Sequence, residues 1–274
     1  MEARVDSSLE TKRILVIEDD PGLRDLIELQ LVQHAITHAP HQQAAYSALD
    51  RLRFDLVLLD LKLPIDERDI DPHPQVGFDT LQSIRRNHPP NHLPVVVMTA
   101  YEATSEITKR ALKLEATDYW KKDGSYSEDL PTLVGRVLQE HAAEQSKLAQ
   151  DLEARRHRLD FSRAKQRVSI DGLVTFEGKH YALLAALRSP FLDAAKKGEN
   201  PPFLALQKLA DALDVDQDYL RKLVERLRKR VALTFMKQLG VAPSPEAIIE
   251  SQQWKGYRLN PSKVDIADIS SPSV

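Results

Sequence analysis

Four apolar stretches in the first half of the chain end in residues able to do chemistry. Ile14-Leu15-Val16-Ile17 runs into Glu18-Asp19-Asp20, and Phe54 to Leu59 runs into Asp60. Val95-Val96-Val97-Met98 runs into Thr99-Ala100, and Thr117-Asp118-Tyr119-Trp120 into Lys121-Lys122. If the stretches are strands of one sheet, these ends meet along one edge. Carboxylates gathered there repel one another unless a cation neutralises them. Ligands that are all oxygen suit Mg²⁺, which takes few protein carboxylates and keeps several waters. A lysine and a hydroxyl beside such a site suit a phosphoryl group, one as a point charge and the other as a hydrogen-bond donor. The chemistry implied is phosphoryl transfer onto a carboxylate, with Asp60 as the nucleophile.

The elements around these residues alternate. Gly22 to Val32 repeats its apolar residues at a spacing near 3.6 and reads as a helix. A weaker strand falls between the second helix and Thr117-Asp118-Tyr119-Trp120. Strand–helix alternation predicts a doubly wound parallel α/β sheet. Ligands of such sheets bind at the carboxyl ends of strands, where the acidic residues stand. After Pro131 the pattern is helical. Leu138, Leu152 and Leu159 share one heptad position, and no Pro or Gly interrupts Gln139 to Ser169. A stiff helical linker over 139–158 is expected. His34 and His38 have the spacing of a helical chelating pair, with His41 close by. No third ligand is evident, so solvated helix-end histidines are the expectation.

Taken in order, the chemical residues resemble the receiver domain of two-component response regulators. The resemblance covers about residues 11–145, and the domain itself is placed at 11–138. It implies a five-stranded flavodoxin-like sheet. It makes Glu18 and Asp19 the acidic pair, leaving Asp20 outside, and Asp60 the phosphoacceptor. Thr99 is then the switch threonine, Tyr119 the switch aromatic and Lys122, rather than Lys121, the family lysine. Mg²⁺ ligands carry over to Asp19, Asp60 and the backbone carbonyl of Lys62, with Glu18 acting through water. Phosphorylated Asp60 would draw the Thr99 hydroxyl inward and let Tyr119 rotate into the space left. The sequence departs from the pattern at Asp123, where Pro is usual, and at Thr117, which replaces one acid of a dimer-face pair. Residues 65–76 form an insertion, expected as an acidic surface loop.

The second half differs in charge. Residues 1–149 carry 17 basic and 25 acidic side chains, and the remainder carries 21 and 16. A basic half behind an acidic one fits a nucleic-acid binder attached to something else. Leu204–Leu213 and Tyr219–Val231 have helix-turn-helix proportions. Leu220, Leu223, Val224, Leu227 and Val231 make one apolar face, while Arg221, Lys222, Arg226, Arg228, Lys229 and Arg230 cover much of the rest. Such a helix can set basic side chains against phosphates and guanine edges. Asp171-Gly172 reads as a two-residue hairpin turn, Ile248–Leu259 as a closing hairpin, and the tail from Ile266 as frayed. Residues 159–262 resemble the α+β winged-helix output domain of OmpR-type regulators. That resemblance implies DNA contacts from Arg221, Lys222, Arg226, Lys229, Lys255 and Arg258. Gln253 and Trp254 stand where its wing usually has Arg-Gly, and His180 where Glu is usual.

Two domains are the expectation for 274 residues. Cysteine is absent, which excludes disulfide scaffolds, thiolate metal sites and cysteine catalysis. No apolar run approaches the ~20 residues of a membrane helix, and the N-terminus lacks signal-peptide order. A cytoplasmic protein without membrane contact is expected. The expected partners are a sensor histidine kinase or small phosphodonor, double-stranded DNA, and a second copy in the active state. The protein would not be an enzyme beyond assisting its own phosphorylation and dephosphorylation. Two readings compete: a degenerate winged helix that binds a protein partner without DNA, and an aspartyl-phosphate phosphatase or transferase.

Overall fold

A computed structural model describes residues 11–100, 105–122 and 129–267. The chain divides into two compact units, one up to Glu144 and one from Gln145. Asp123, which stands where Pro is usual, lies outside the described residues.

In the first unit strands and helices alternate: β1 (Arg13–Ile17), α1 (Pro21–Gln30), β2 (Ala35–Ala39), α2 (Gln42–Arg51), β3 (Leu56–Asp60), α3 (Pro74–Asn87), β4 (Val95–Thr99), α4 (Glu106–Lys113), β5 (Asp118–Lys121) and α5 (Leu130–Ala154). The strands pair in parallel in the order β2-β1-β3-β4-β5. This is the flavodoxin-like order. Helices cover both faces, so residues 14–17, 56–59 and 95–98 of the central strands are continuous buried apolar runs. Leu15, Ile17, Val57, Leu59, Val95 and Val97 enter one core layer, while Ile14, Val16, Leu56, Leu58, Val96 and Met98 enter the other. Each such side chain contributes about 1.5–3 kcal/mol on burial.

Strand β2 is the element the sequence reading did not single out. It lies at the sheet edge and only Ala39 is fully buried, so Thr37 and His38 interrupt its apolar pattern. Its presence also corrects the histidine reading. His38 is a strand residue with Nε2 2.9 Å from Glu28, and His41 caps α2 by accepting the Ala44 N–H. The helical pair does not exist.

Asp20 caps α1, accepting the N–H groups of Gly22 and Leu23, with Pro21 at the first helical position. The 65–76 segment is tied down at both ends. Leu63 bridges His73, whose Nδ1 accepts the Gln75 N–H at the start of α3. Inside it, Asp69 accepts the Ile65 N–H and Asp66 the Arg68 N–H. Just beyond, α3 comes so close to the end of β3 that a Cβ on Gly77 would stand 2.2 Å from the Leu61 carbonyl oxygen. Gly77→Ala must therefore move backbone next to Asp60. It is expected to cost about 3 kcal/mol, seen as a lower thermal midpoint. An unchanged midpoint would show that the approach relaxes freely.

Helix α5 is long, as expected. It buries Leu130, Leu133, Val134 and Val137 in the first unit and Leu152 in the second. It stops at Ala154, however, so residues 157–158 are not helical linker. Leu159 lies in β6 (His157–Ser162), where His157, Leu159 and Phe161 alternate inward with period two. Its heptad match with Leu138 and Leu152 is coincidental.

The second unit continues with β7 (Arg167–Ile170), β8 (Val174–Glu177), α6 (Gly178–Lys197), α7 (Leu206–Leu213), α8 (Gln217–Leu239), β9 (Ile249–Gln252), β10 (Gly256–Leu259) and β11 (Val264–Ala267). β6, β7 and β8 form an antiparallel meander. Its second turn, between β7 and β8, holds three residues rather than two, because Ile170 pairs with Val174. Asp171 and Gly172 take left-handed φ values of 52° and 73° there. Asp171 also accepts from the Arg158 N–H and lies 2.7 Å from His157 Nδ1. Strand β11 adds to the meander in parallel with β6, so Ile266 and Ala267 are paired strand residues rather than frayed tail; residues 268–274 lie outside the described residues. Helix α8 extends past Val231 to Leu239, because Phe235 continues its apolar face until Gly240 ends it with φ 74°.

Candidate phosphoacceptor and nucleic-acid sites

The parallel register of β1, β3, β4 and β5 brings the four strand ends together. Glu18, Asp19 and Asp60 each offer an oxygen, and these atoms all lie within 4.8 Å of one another. No other group of three potential metal ligands occurs among the described residues. Lys122 Nζ stands 2.7 Å from a carboxylate oxygen of Glu18 and 2.7 Å from one of Asp60. The Lys62 N–H donates to the other Asp60 oxygen at 3.1 Å, which places Lys62 next to the cluster. Thr99, at the end of β4, is buried, and its carbonyl accepts the Lys122 N–H at 2.9 Å. Tyr119 packs against the core layer under α4. Thr117 serves the strand start: its hydroxyl accepts the Val95 N–H at 3.0 Å.

Burial governs the electrostatics. Glu18 is 1% exposed. Desolvation first, then the Asp60 charge, push its pKa from 4.5 to about 7, against the pull of Lys122. Asp60 is also raised, mainly by desolvation, while Lys122 and the Lys62 N–H oppose the shift. Burial pushes Lys122 down, but Asp60 and Glu18 outweigh it, and its pKa is raised. Glu18 and Asp60 thus share one lysine with Asp19 beside them, and the site is short of positive charge. A hard cation with oxygen ligands fits that donor set.

This shortage has a pH signature. A carboxyl whose folded pKa exceeds its ordinary value favours the folded state while protonated. Glu18 contributes that stability at low pH and loses it as pH rises toward about 7. Binding of a divalent cation requires the ionised form. Mg²⁺ affinity is therefore expected to rise about tenfold per pH unit below about 7 and to level off above it. Calorimetric titrations across this range check it; constant affinity would mean Glu18 is ionised throughout.

In the second unit α7 and α8 meet at a short turn. Asp214 takes φ 51° there and Asp216 caps α8 by accepting the Tyr219 N–H. Leu220, Leu223, Val224, Leu227 and Val231 are buried. Arg221, Lys222, Arg226 and Lys229 are exposed, and Lys255 is exposed in the β9–β10 turn. Arg221 pairs with Asp218 at 2.6 Å. Two arginines have structural partners that spacing does not reveal. Arg258 bonds Glu250 at 2.7 Å and the Pro201 carbonyl, with its guanidinium over the Phe203 ring. Arg228 donates to the Ile249 carbonyl at 2.8 Å and so fastens α8 to β9. His180 lies against Phe176, ring centres 5.3 Å apart. No helix among the described residues is long and apolar enough to cross a membrane.

Residues 14–134 match the response regulator receiver domain. The transcriptional activator protein PfeR of Pseudomonas aeruginosa is 30% identical over 240 residues, which cover 85% of this chain and 71% of that protein. The DNA-binding dual master transcriptional regulator RpaA of Synechocystis is 35% identical over 94 residues, covering 32% of this chain and 34% of that one. Among solved structures, the magnesium-bound receiver domain of the sensor histidine kinase PA1611 from Pseudomonas aeruginosa is 24% identical. It covers 48% of this chain and 98% of that one, with a TM-score of 0.38. A chain that carries the receiver match in its first half and aligns with a transcriptional activator along most of its length belongs to the response regulator family.

Proposed function

We propose that this protein is a phosphorylation-controlled transcription regulator in which Asp60 is the phosphoacceptor and the second unit, a winged helix over about 159–262, binds DNA. The observation that carries the first part is Lys122 Nζ standing 2.7 Å from both Glu18 and Asp60 beside Asp19. A histidine kinase or a small phosphodonor supplies the phosphoryl group. An Asp60 oxygen attacks phosphorus, and the bond to the donor's nitrogen or acyl oxygen breaks with its electron pair leaving on the donor. Asp19, Asp60 and the Lys62 carbonyl would hold Mg²⁺, with Glu18 acting through water. The ion supplies positive charge against the phosphoryl oxygens. Lys122 gives up part of its contact with Asp60 and holds a phosphoryl oxygen. The Thr99 hydroxyl donates to another, and Tyr119 moves into the space vacated. This is a bistable element biased by local charge. The protein catalyses nothing beyond loading and unloading its own Asp60.

For the second part, the support is an exposed basic face on α8 and a hairpin beside its start. Its homologues include proteins named as transcriptional regulators. Double-stranded DNA is the partner, bound by a homodimer in the cytoplasm. Binding to fragmented genomic DNA from the source organism tests the whole reading, with salt titrated and Asp60 loaded or unloaded. Selective enrichment strengthened by loading supports it. Enrichment indifferent to loading removes the gating. A folded protein without enrichment in either state favours a protein partner for the second unit.

A further inference from the structure

Three histidines of the first unit take no part in the phosphoacceptor site. His88 caps the end of α3, His92 precedes β4, and His141 lies in the middle of α5. All three are half-buried. His88 Nδ1 and His92 Nδ1 stand 3.3 Å apart. Their ring centres are 5.5 Å apart and their planes 7° from parallel. That separation of centres is close to the most a 3.3 Å contact allows, so the rings meet edge to edge with Nδ1 facing Nδ1. One Nδ1–H therefore donates to the lone pair of the other ring. A metal ion held in line between them would need about 2 Å to each nitrogen, more room than the pair leaves.

The pair sets the loop on which α5 rests. The Arg85 guanidinium donates to the carbonyls of His88 at 3.2 Å and Leu93 at 2.8 Å, which clamps the two ends of the loop. Within it the His92 N–H donates to the Pro89 carbonyl at 2.8 Å. Asn91 stands between the paired histidines, and its carbonyl accepts from His141 Nε2 at 3.2 Å. His141 lies one turn beyond Val137, which is buried in the core of the first unit.

Protons oppose this arrangement. Burial first, then His92, Arg53 and Arg85, hold His88 below the ordinary 6.5. Burial first, then Arg53 and His141, do the same for His92. The nearby carboxylate of Glu115 acts on Arg85, whose guanidinium also donates to the Glu115 carbonyl. A first proton on the pair adds a charge beside two arginines. A second sets N–H against N–H and ends the Nδ1–Nδ1 bond. A histidine held low in the folded state favours folding above its ordinary value and loses that contribution as pH falls below it.

We propose that His88, His92 and His141 form a proton-operated latch. At neutral pH the imidazole pair fixes the Asn91 carbonyl that holds His141, and acid releases the middle of α5 from the first unit.

Hydrogen exchange of the full-length protein tests this, read as protection relative to an unstructured chain at the same pH. Each ring that must take up a proton lowers protection by up to about tenfold per pH unit below its ordinary value. Between about pH 7.5 and 5.5, residues 138–145 are expected to lose roughly tenfold to a hundredfold in protection, while β1 and β3 keep theirs. His92→Gln keeps a hydrogen-bonding side chain that gains no proton. It is expected to hold its neutral-pH protection at the acid end. Ring signals of His88 and His92 followed by NMR should titrate below 6.5. Protection of residues 138–145 that does not change with pH overturns the latch. So does a fall shared by β1 and β3, which reports global unfolding, or an equal fall in His92→Gln. If His92→Gln has already lost protection at neutral pH, the ring titrations of the native chain decide. Midpoints at or above 6.5 overturn the proposal, and lower midpoints that coincide with the loss of protection support it.

Discussion

Asp60→Ala is expected to reduce acid-labile phosphorylation by acetyl phosphate or a kinase to background, a loss of at least about a hundredfold, as for removal of the group that forms the covalent bond. The alternatives nearby are poor acceptors. Glu18 is desolvated and its pKa stands near 7, so much of it is protonated and engaged with Lys122 at neutral pH. Asp20 is occupied by the N–H groups of α1. Asp60 presents one oxygen to Lys122 while the Lys62 N–H orients the other. The substitution should not unfold the unit. Asp60 raises the pKa of Glu18, so its removal relieves like-charge repulsion while Lys122 keeps Glu18 as a partner. The thermal midpoint is expected to stay level or rise. Labelling with inorganic-phosphate release under acid reads the effect. Stoichiometric labelling of a folded Asp60→Ala protein would move the acceptor to another residue.

Replacing Arg221, Lys222 and Arg226 together with Ala is the second large effect. Each phosphate contact contributes about 0.9 to the slope of log affinity against log salt. Losing three lowers the slope by about 2.7 and the affinity near physiological salt by on the order of a hundredfold. The helix should survive, because Leu220, Leu223, Val224 and Leu227 hold it to the core and Ala is the best helix former. Arg221 rests on Asp218 in the free protein, and DNA phosphate would replace that exposed partner. Such pairs are worth little, so the exchange costs little. Fluorescence anisotropy at several salt concentrations measures it. An unchanged slope would remove α8 as the DNA-reading element.

Much of the first unit is legible in the chain because its information is local. β1, β3 and β4 are short, continuous apolar runs, as strands buried on both faces must be. Each runs into a candidate site residue, since a strand's carboxyl end is where a parallel sheet opens to ligand. Strands β2 and β11 are harder to read. β2 lies on an edge and mixes Ala, Thr and His, and β11 is defined by its partner β6 rather than by its own four residues. The helical reading across Leu159 failed for a related reason. A seven-residue spacing is shared by a heptad and by chance, and only burial with period two separates them.

For the candidate sites the division is similar. By itself the sequence determined the donor types: carboxylates after two strands, a hydroxyl after a third, lysines after a fourth, and a basic amphipathic helix in the other half. It also excluded cysteine chemistry. The tertiary structure decided which of these groups meet. Lys121 and Lys122 are neighbours in composition, yet it is Lys122 Nζ that bridges Glu18 and Asp60. Arg228 and Arg258 look as available as Arg221, yet one is fastened to β9 and the other to Glu250. Trp254 looks like a core residue by type and stands in solvent. Residue type and periodicity are properties of a few neighbouring positions. Pairing of charges and exposure of a turn depend on chain segments tens of residues apart, and those distances are set only when the sheets and the helices packed on them close.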